Sequence, residues 1–169
     1  MPIEELRTDF QRVFAAIEKN SRGRFRIIYN LGQQELSDYY IDLAIESTNG
    51  RTVSLPLVFK DVMRDLLANA RKYTQPGGTI SAGLYETAAT LKFTIQDTGR
   101  GIPADELQTV MHYGRRGSNV GEVRTMGGGF GLTKAFLVTK QFGGHFWIRS
   151  ELGVGTRIRI EIPRPLPSC

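Results

Sequence analysis

Cysteine is almost missing from this chain. Its 169 residues include one, Cys169, which excludes an internal disulfide and a cysteine-built metal site and suits a reducing, cytoplasmic setting. Long apolar runs are missing too, and the opening MPIEELRTDF lacks the basic-then-apolar order of a signal peptide. There is no block of basic residues: 22 Lys and Arg against 17 Asp and Glu give a net charge of +5, but the cations are scattered. Scattered cations describe a solvated surface, so nucleic acid is not an expected partner, although a small polyanion such as a nucleotide suits the balance. No repeat or low-complexity segment occurs, and the only linker-like stretch is the PRPLPSC tail.

What is present is ordinary globular material, 40% hydrophobic and 23% charged, in a chain long enough for one core and short for two. Ile3, Leu6, Phe10, Val13 and Ile17 recur at spacings of three and four and predict an N-terminal helix over 1–20. RFRIIYN and YYIDLAIES read as strands, and residues 55–73 form the strongest helical pattern, with Phe59, Met63, Leu66, Ala70 and Tyr73 as its apolar stripe. TISAGLYE and LKFTIQD read as two more strands. After them Pro103 opens a short helix, residues 112–129 read as a loop, and a helix runs from about Leu132 to Phe142. HFWIRS and TRIRIEI close the chain as a hairpin. The sheet this order predicts is antiparallel or mixed, with helices on a single side.

Three places break the pattern by putting polar groups where a partner is needed. Asp65, Asn69 and Lys72 stand at i, i+4 and i+7 on the central helix, beside its apolar stripe. Such a row can hold a metal and a phosphate, or it is a solvated face with a charge pair. Asp97 shares its parity with Leu91, Phe93 and Ile95, so a carboxylate faces the core; either it serves a ligand or it caps the turn that follows. Gly127, Gly128 and Gly129 precede a helix, as an anion cradle does and as an ordinary flexible loop does. The run is not a Walker loop, since Leu132 follows Gly131, and GRGIPA is not in the βαβ setting of a dinucleotide fingerprint.

Taken together and in order, DLLANARKY, DTGRGIP, GGGFGL and GVGT resemble the N, G1, G2 and G3 boxes of the GHKL ATPases, a superfamily of sensor histidine kinases, gyrase-type ATPases and anti-sigma-factor kinases. NARKYTQPGGTI and the FGGHFWIRSELGVGTRIRIEIP ending are most similar to the histidine-kinase catalytic domain. The resemblance covers 55–163, within a single domain spanning 1–163 and followed by a tail, 164–169. It implies an α+β fold, a two-layer α/β sandwich with a mixed, mostly antiparallel sheet and helices on one face, binding ATP with Mg²⁺ under a lid.

Carried over by position, the resemblance implies that Asn69 ligates Mg²⁺, Lys72 contacts phosphate and Tyr73 packs on adenine. Asp97 accepts from the adenine amino group, Gly99, Gly101 and Ile102 meet the base, and Thr156 supports Asp97 through water. Gly127, Gly128, Gly129, Phe130 and Gly131 wrap the phosphates, with Leu132 starting the helix. Arg115 or Arg116 reaches the γ-phosphate from the lid.

Asp65 departs from the pattern, standing where histidine kinases usually carry asparagine and hydrolysing relatives glutamate. It is a catalytic candidate, positioning a nucleophile or acting through the metal. Neither His112 nor His145 has the setting of a phospho-acceptor. The reading is therefore a histidine kinase catalytic domain that phosphorylates a histidine on a separate dimerisation domain and feeds a response regulator, with no membrane contact of its own. The residues 1–20 helix either leads toward that missing domain or packs on this one. A free-standing serine kinase of the anti-sigma type and a nucleotide-sensing module without transfer are the alternatives.

Overall fold

The alternation in LKFTIQD is realised as a strand whose every second side chain is buried, and the rest of the fold is arranged around that face. The computed structural model describes residues 1–108 and 129–164. In chain order the elements are α1 (Ile3–Asn20), β1 (Ile27–Ile28), β2 (Tyr39–Glu46), α2 (Leu57–Tyr73), β3 (Thr79–Glu86), β4 (Thr90–Asp97), α3 (Gly129–Gln141), β5 (His145–Glu151) and β6 (Gly155–Pro163). A helical turn over 104–108 follows Pro103.

The six strands form one sheet in the order β1-β2-β3-β4-β6-β5. The β1–β2 and β2–β3 pairings are parallel, and the remaining three pairings are antiparallel. The parallel β2–β3 pair is joined by α2, because parallel neighbours need a long crossover and a helix is the ordinary one. The hairpin β5–β6 lies with its second strand inside, so β6 pairs with both β4 and β5.

α2 is the central helix. Phe59, Val62, Met63, Leu66, Leu67, Ala70 and Tyr73 are all buried, which widens the expected five-residue stripe by Val62 and Leu67. They meet Ile80, Leu84, Leu91, Phe93, Ile95, Ile158, Ile160 and Ile162 from the sheet in one hydrophobic core.

α1 belongs to that core as well. Ile3, Leu6, Phe10 and Phe14 are buried, each side chain contributing roughly 1.5–3 kcal/mol. Phe14 takes the innermost place, while Val13 is half-buried. Glu4 and Glu5 in the first turn and Lys19 in the last complement the helix dipole. The Lys60 ammonium of α2 pairs with Asp9 of α1 and holds that carboxyl below its usual range. The chain start is tied down too: the Met1 amine donates to the Val53 carbonyl at 3.0 Å. Of the two expectations for this helix, packing against the described core is the one observed.

One strand is shorter than its sequence suggests. RFRIIYN yields only Ile27–Ile28, because its flanking side chains are engaged elsewhere. Arg24 turns back to the Ser21 carbonyl, Arg26 forks onto the buried Asp38 at 3.1 and 2.7 Å, and Phe25 packs edge-on against Tyr39.

Candidate functional site

Asp97 ends β4, in register with Thr156 of β6, and its side chain turns inward as the strand parity requires. It is only 7% exposed. Oδ1 accepts from the Gly99 amide at 2.9 Å and from the Thr156 amide at 3.3 Å. Burial pushes this carboxyl above its ordinary range, and the Gly99 and Thr156 amides pull the other way. Oδ2 makes no hydrogen bond among the described residues and remains free to accept from a donor. The carboxylate does cap the turn after β4, as one sequence reading had it, but with only one of its two oxygens.

Asp97 lines a cleft. One wall is α2, through Leu66, Asn69, Ala70 and Tyr73, and the floor is Ile95 and Asp97 of β4 with Thr156 and Ile158 of β6. Ile102 from the loop after β4 and Leu132 from α3 close the sides. The arrangement is mostly apolar with a few polar groups, as a site for a flat heterocycle is. The cleft as it stands encloses about 20 Å³, room for about one water, so a heterocycle must part its walls to enter.

Several expected residues meet here, though not always as expected. Thr156 supports Asp97 directly through its backbone amide, with no water between, because the β4–β6 ladder brings that N–H onto Oδ1. Its hydroxyl is engaged by Ser150 at 2.7 Å. Tyr73 lines the cleft, but the Arg100 guanidinium lies 4.9 Å from its ring centroid. Gly101 has φ +78°, and a Cβ there would stand 2.4 Å from the Glu151 carbonyl, so the backbone that approaches it is the protein's own.

Asn69 lies against α3. A Cβ on Gly131 would fall 2.4 Å from the Asn69 amide nitrogen, so the missing side chain is the cradle in which this amide sits. α3 begins at Gly129, a turn before the expected start at Leu132; Gly131 and Leu132 lie inside its first turn. Gly131 is therefore required by close approach between helices rather than by a special dihedral.

Asp65 is bridged to Lys134 of α3 at 3.0 Å, and not to Lys72 as an i,i+7 pair. With both partners part-exposed the bridge is worth at most about 1 kcal/mol, but it joins the two helices beside Asn69. Lys72 is exposed and has no ion pair among the described residues. His145 is exposed on β5. His112, Arg115, Arg116, Gly127 and Gly128 lie outside the described residues, as does the side chain of Phe130.

Ser150 is not among the expected site residues, yet it joins two parts of the site. Its hydroxyl accepts from the Ile102 amide at 2.7 Å and meets both Thr156 Oγ1 and the Gly155 carbonyl. The signal was available: on β5 it shares its parity with buried Phe146, so it is a polar group on the core face by the same logic as Asp97.

A metal needs no dedicated cage in such a site. Among the described residues no cluster of three His, Cys, Asp or Glu is placed to hold one. Mg²⁺ takes few protein ligands and completes its shell with water and substrate phosphates, so a single amide oxygen from Asn69 in its glycine cradle fits that chemistry.

The model of the histidine kinase-, DNA gyrase B- and HSP90-like ATPases matches residues 54–166, a span holding α2, Asp97, α3 and the β5–β6 hairpin. The chain belongs to that ATPase family. It is homologous to the adaptive-response sensory kinase SasA of Synechococcus elongatus, 36% identical over 116 residues that make up 64% of this chain and 30% of that protein. It is also homologous to the sensor protein SrrB of Staphylococcus aureus, 31% identical over 137 residues, 79% of this chain and 23% of that protein. The chain thus matches about a third or less of the length of these relatives.

Among solved structures, the catalytic domain of histidine kinase ThkA has the same fold, with a TM-score of 0.58 at 19% identity over 97% of this chain and 93% of that one. The mycobacterial sensor histidine kinase MprB gives 0.58 at 20% identity, over 96% and 94%. Within the ATPase family assignment, α1 and the first two strands lie ahead of the matched span and extend the sheet at its β3 side.

Proposed function

We propose that this chain is the ATP-binding catalytic domain of a two-component sensor histidine kinase and passes the γ-phosphoryl group of ATP to a histidine on a separate dimerisation domain. The observation that carries the reading is the buried Asp97 carboxylate lining the cleft, with one oxygen fixed by two backbone amides and the other without a hydrogen bond among the described residues. An ionised carboxylate in that position favours adenine, whose 6-amino group donates there, and disfavours guanine, which presents a carbonyl oxygen at the same ring position.

In this reading Ile95, Ile102, Leu132 and Ile158 sandwich the base, and Tyr73 closes the cleft beside it. Asn69 holds Mg²⁺ through its amide oxygen, and the ion when bound neutralises phosphate charge. Lys72 meets the phosphates from the exposed end of α2, Arg115 or Arg116 meets the γ-phosphate, and the glycines from Gly127 to Gly131 offer backbone amides. Asp65 acts by holding α2 against α3 through Lys134, so its part is positioning of the phosphate-side wall.

Catalysis of phosphoryl transfer is mostly positioning and charge neutralisation, and these groups supply both. The attacking imidazole nitrogen comes from the dimerisation domain, and a response regulator receives the phosphoryl group afterwards. The reading places this domain in the cytoplasm, where ATP is. Titration with ADP and GDP in the presence of Mg²⁺ tests it. ADP should bind, and GDP should bind roughly 100-fold more weakly, the cost of setting a carbonyl against a buried carboxylate. Equal affinities would remove Asp97 from base recognition and the reading with it.

A further inference from the structure

Helices cover one face of the sheet, and the alternate residues of the strands form the other. On β5 and β6 that outer face carries His145, Trp147 and Arg149 beside Arg157, Arg159 and Glu161. Register sets Arg149 opposite Arg157 and Trp147 opposite Arg159. Like charges directly opposite on a sheet destabilise it. Nothing local offsets them: none of the three arginines has an ion pair among the described residues.

The same patch is ordered and partly hollow. The Arg159 guanidinium lies 4.1 Å from the centroid of the Trp147 ring, with the His145 ring 5.6 Å away, and Trp147 is 42% exposed. Next to this stack is a depression of about 270 Å³ whose lining includes Arg149, Arg157 and Glu151, and which reaches Asp97 and Thr156 at the ends of β4 and β6. Two unpaired guanidinium forks therefore border a concavity, and a stacked Trp–Arg pair stands at its side. Arginine forks match carboxylates in a bidentate way, and Trp and Arg are the residue types that dominate protein interfaces.

We propose that this bare sheet face docks a carboxylate-rich segment of a partner protein, with Arg149 and Arg157 gripping its carboxylates and the Trp147–Arg159 stack as the apolar anchor. The charge complement argues for a short acidic segment over nucleic acid. Arg149 and Arg157 stand directly opposite each other on neighbouring strands, a close pair of forks that suits two carboxylates of one short segment, and Glu151 and Glu161 end the positive stretch on either side, so it is too short to follow an extended phosphodiester chain. Arg149 and Arg157 have the opposite strand parity to Ser150 and Thr156 and so project from the other face of the sheet, while Asp97 and Thr156 border both hollows.

Trp147 is the one tryptophan of the chain, so its fluorescence reports the patch directly. The test titrates the protein with a blocked dodecapeptide of alternating Glu and Gly at low salt, and separately with a twelve-base oligothymidylate. The expected result is saturable binding of the peptide, weakened at least tenfold in the Arg149→Gln/Arg157→Gln double variant and by an intermediate factor in Arg149→Gln alone. An Arg12→Gln/Arg22→Gln variant, with the same charge change on the helix layer, should bind as the wild type does. The double variant should melt no lower than the wild type, since it loses a repulsion. The proposal fails if the peptide does not bind, if affinity survives the double substitution, or if the control variant loses as much. Tighter binding of the oligonucleotide through the same arginines overturns it in favour of nucleic acid.

Discussion

Asp97 is 7% exposed, and that burial bears on its titration. Its pKa is raised above the unfolded value of 3.8 by burial, so its contribution to stability is full below that value and is lost as pH rises through the folded value. At neutral pH the ionised side chain therefore destabilises the fold. Asparagine retains an oxygen for the Gly99 and Thr156 amides and removes the charge. Asp97→Asn should melt at or above the wild-type temperature at pH 7, with a weaker dependence between pH 4 and 7, as thermal unfolding across that range would show. A lower melting temperature at pH 7 would mean the carboxylate is structural. Ser150 makes the opposite case, because its hydroxyl serves the Ile102 amide and Thr156 at once. Ser150→Ala leaves both unpaired and should cost roughly 1–3 kcal/mol in denaturant unfolding, together with weaker nucleotide binding. Unchanged stability and affinity would show that the loop after β4 is fixed by other contacts.

Among the elements, α1 is the one whose role the sequence left undecided. Its stripe at spacings of three and four is the same whether the partner is this core or another domain's helix, because periodicity names a face and not what covers it. The structure seats Phe14 against the core with 0% exposure. Phe14→Ala should therefore cost about 3–5 kcal/mol, measured by chemical denaturation. A loss under about 0.5 kcal/mol would describe a surface helix that merely leans on the sheet. α2 was legible nearly to the residue, since Phe59 through Tyr73 keep one period for four turns and TQPGG stops it. β1 was not: Arg24, Phe25 and Arg26 alternate like strand residues, yet Asp38 and Tyr39, reached only through the fold, claim two of those side chains.

At the scale of the whole molecule, the sandwich has one covered face, and both the cleft and the charged patch follow from that. Local pattern was enough to place helices on a single side and to flag Asp97, because strand parity is a local property. It could not give the parallel pairing of β2 with β3, or β6 between β4 and β5, since those depend on contacts far apart in sequence. The Asp65–Lys134 bridge, spanning 69 positions, was illegible for the same reason, whereas Ser150 shares the inward parity of Phe146 and carries the same local signal as Asp97. No helix among the described residues is long and apolar enough to cross a membrane.

The central claim is that the cleft between α2 and the β4–β6 ladder binds an adenine nucleotide through Asp97. Calorimetric titration of ADP and a non-hydrolysable ATP analogue, with and without Mg²⁺, into the wild type and Asp97→Asn tests it most directly. The account predicts saturable, Mg²⁺-strengthened binding that falls roughly tenfold to 100-fold in the variant while the variant stays folded. Binding of equal strength in both proteins, or none by a folded wild type, would contradict it.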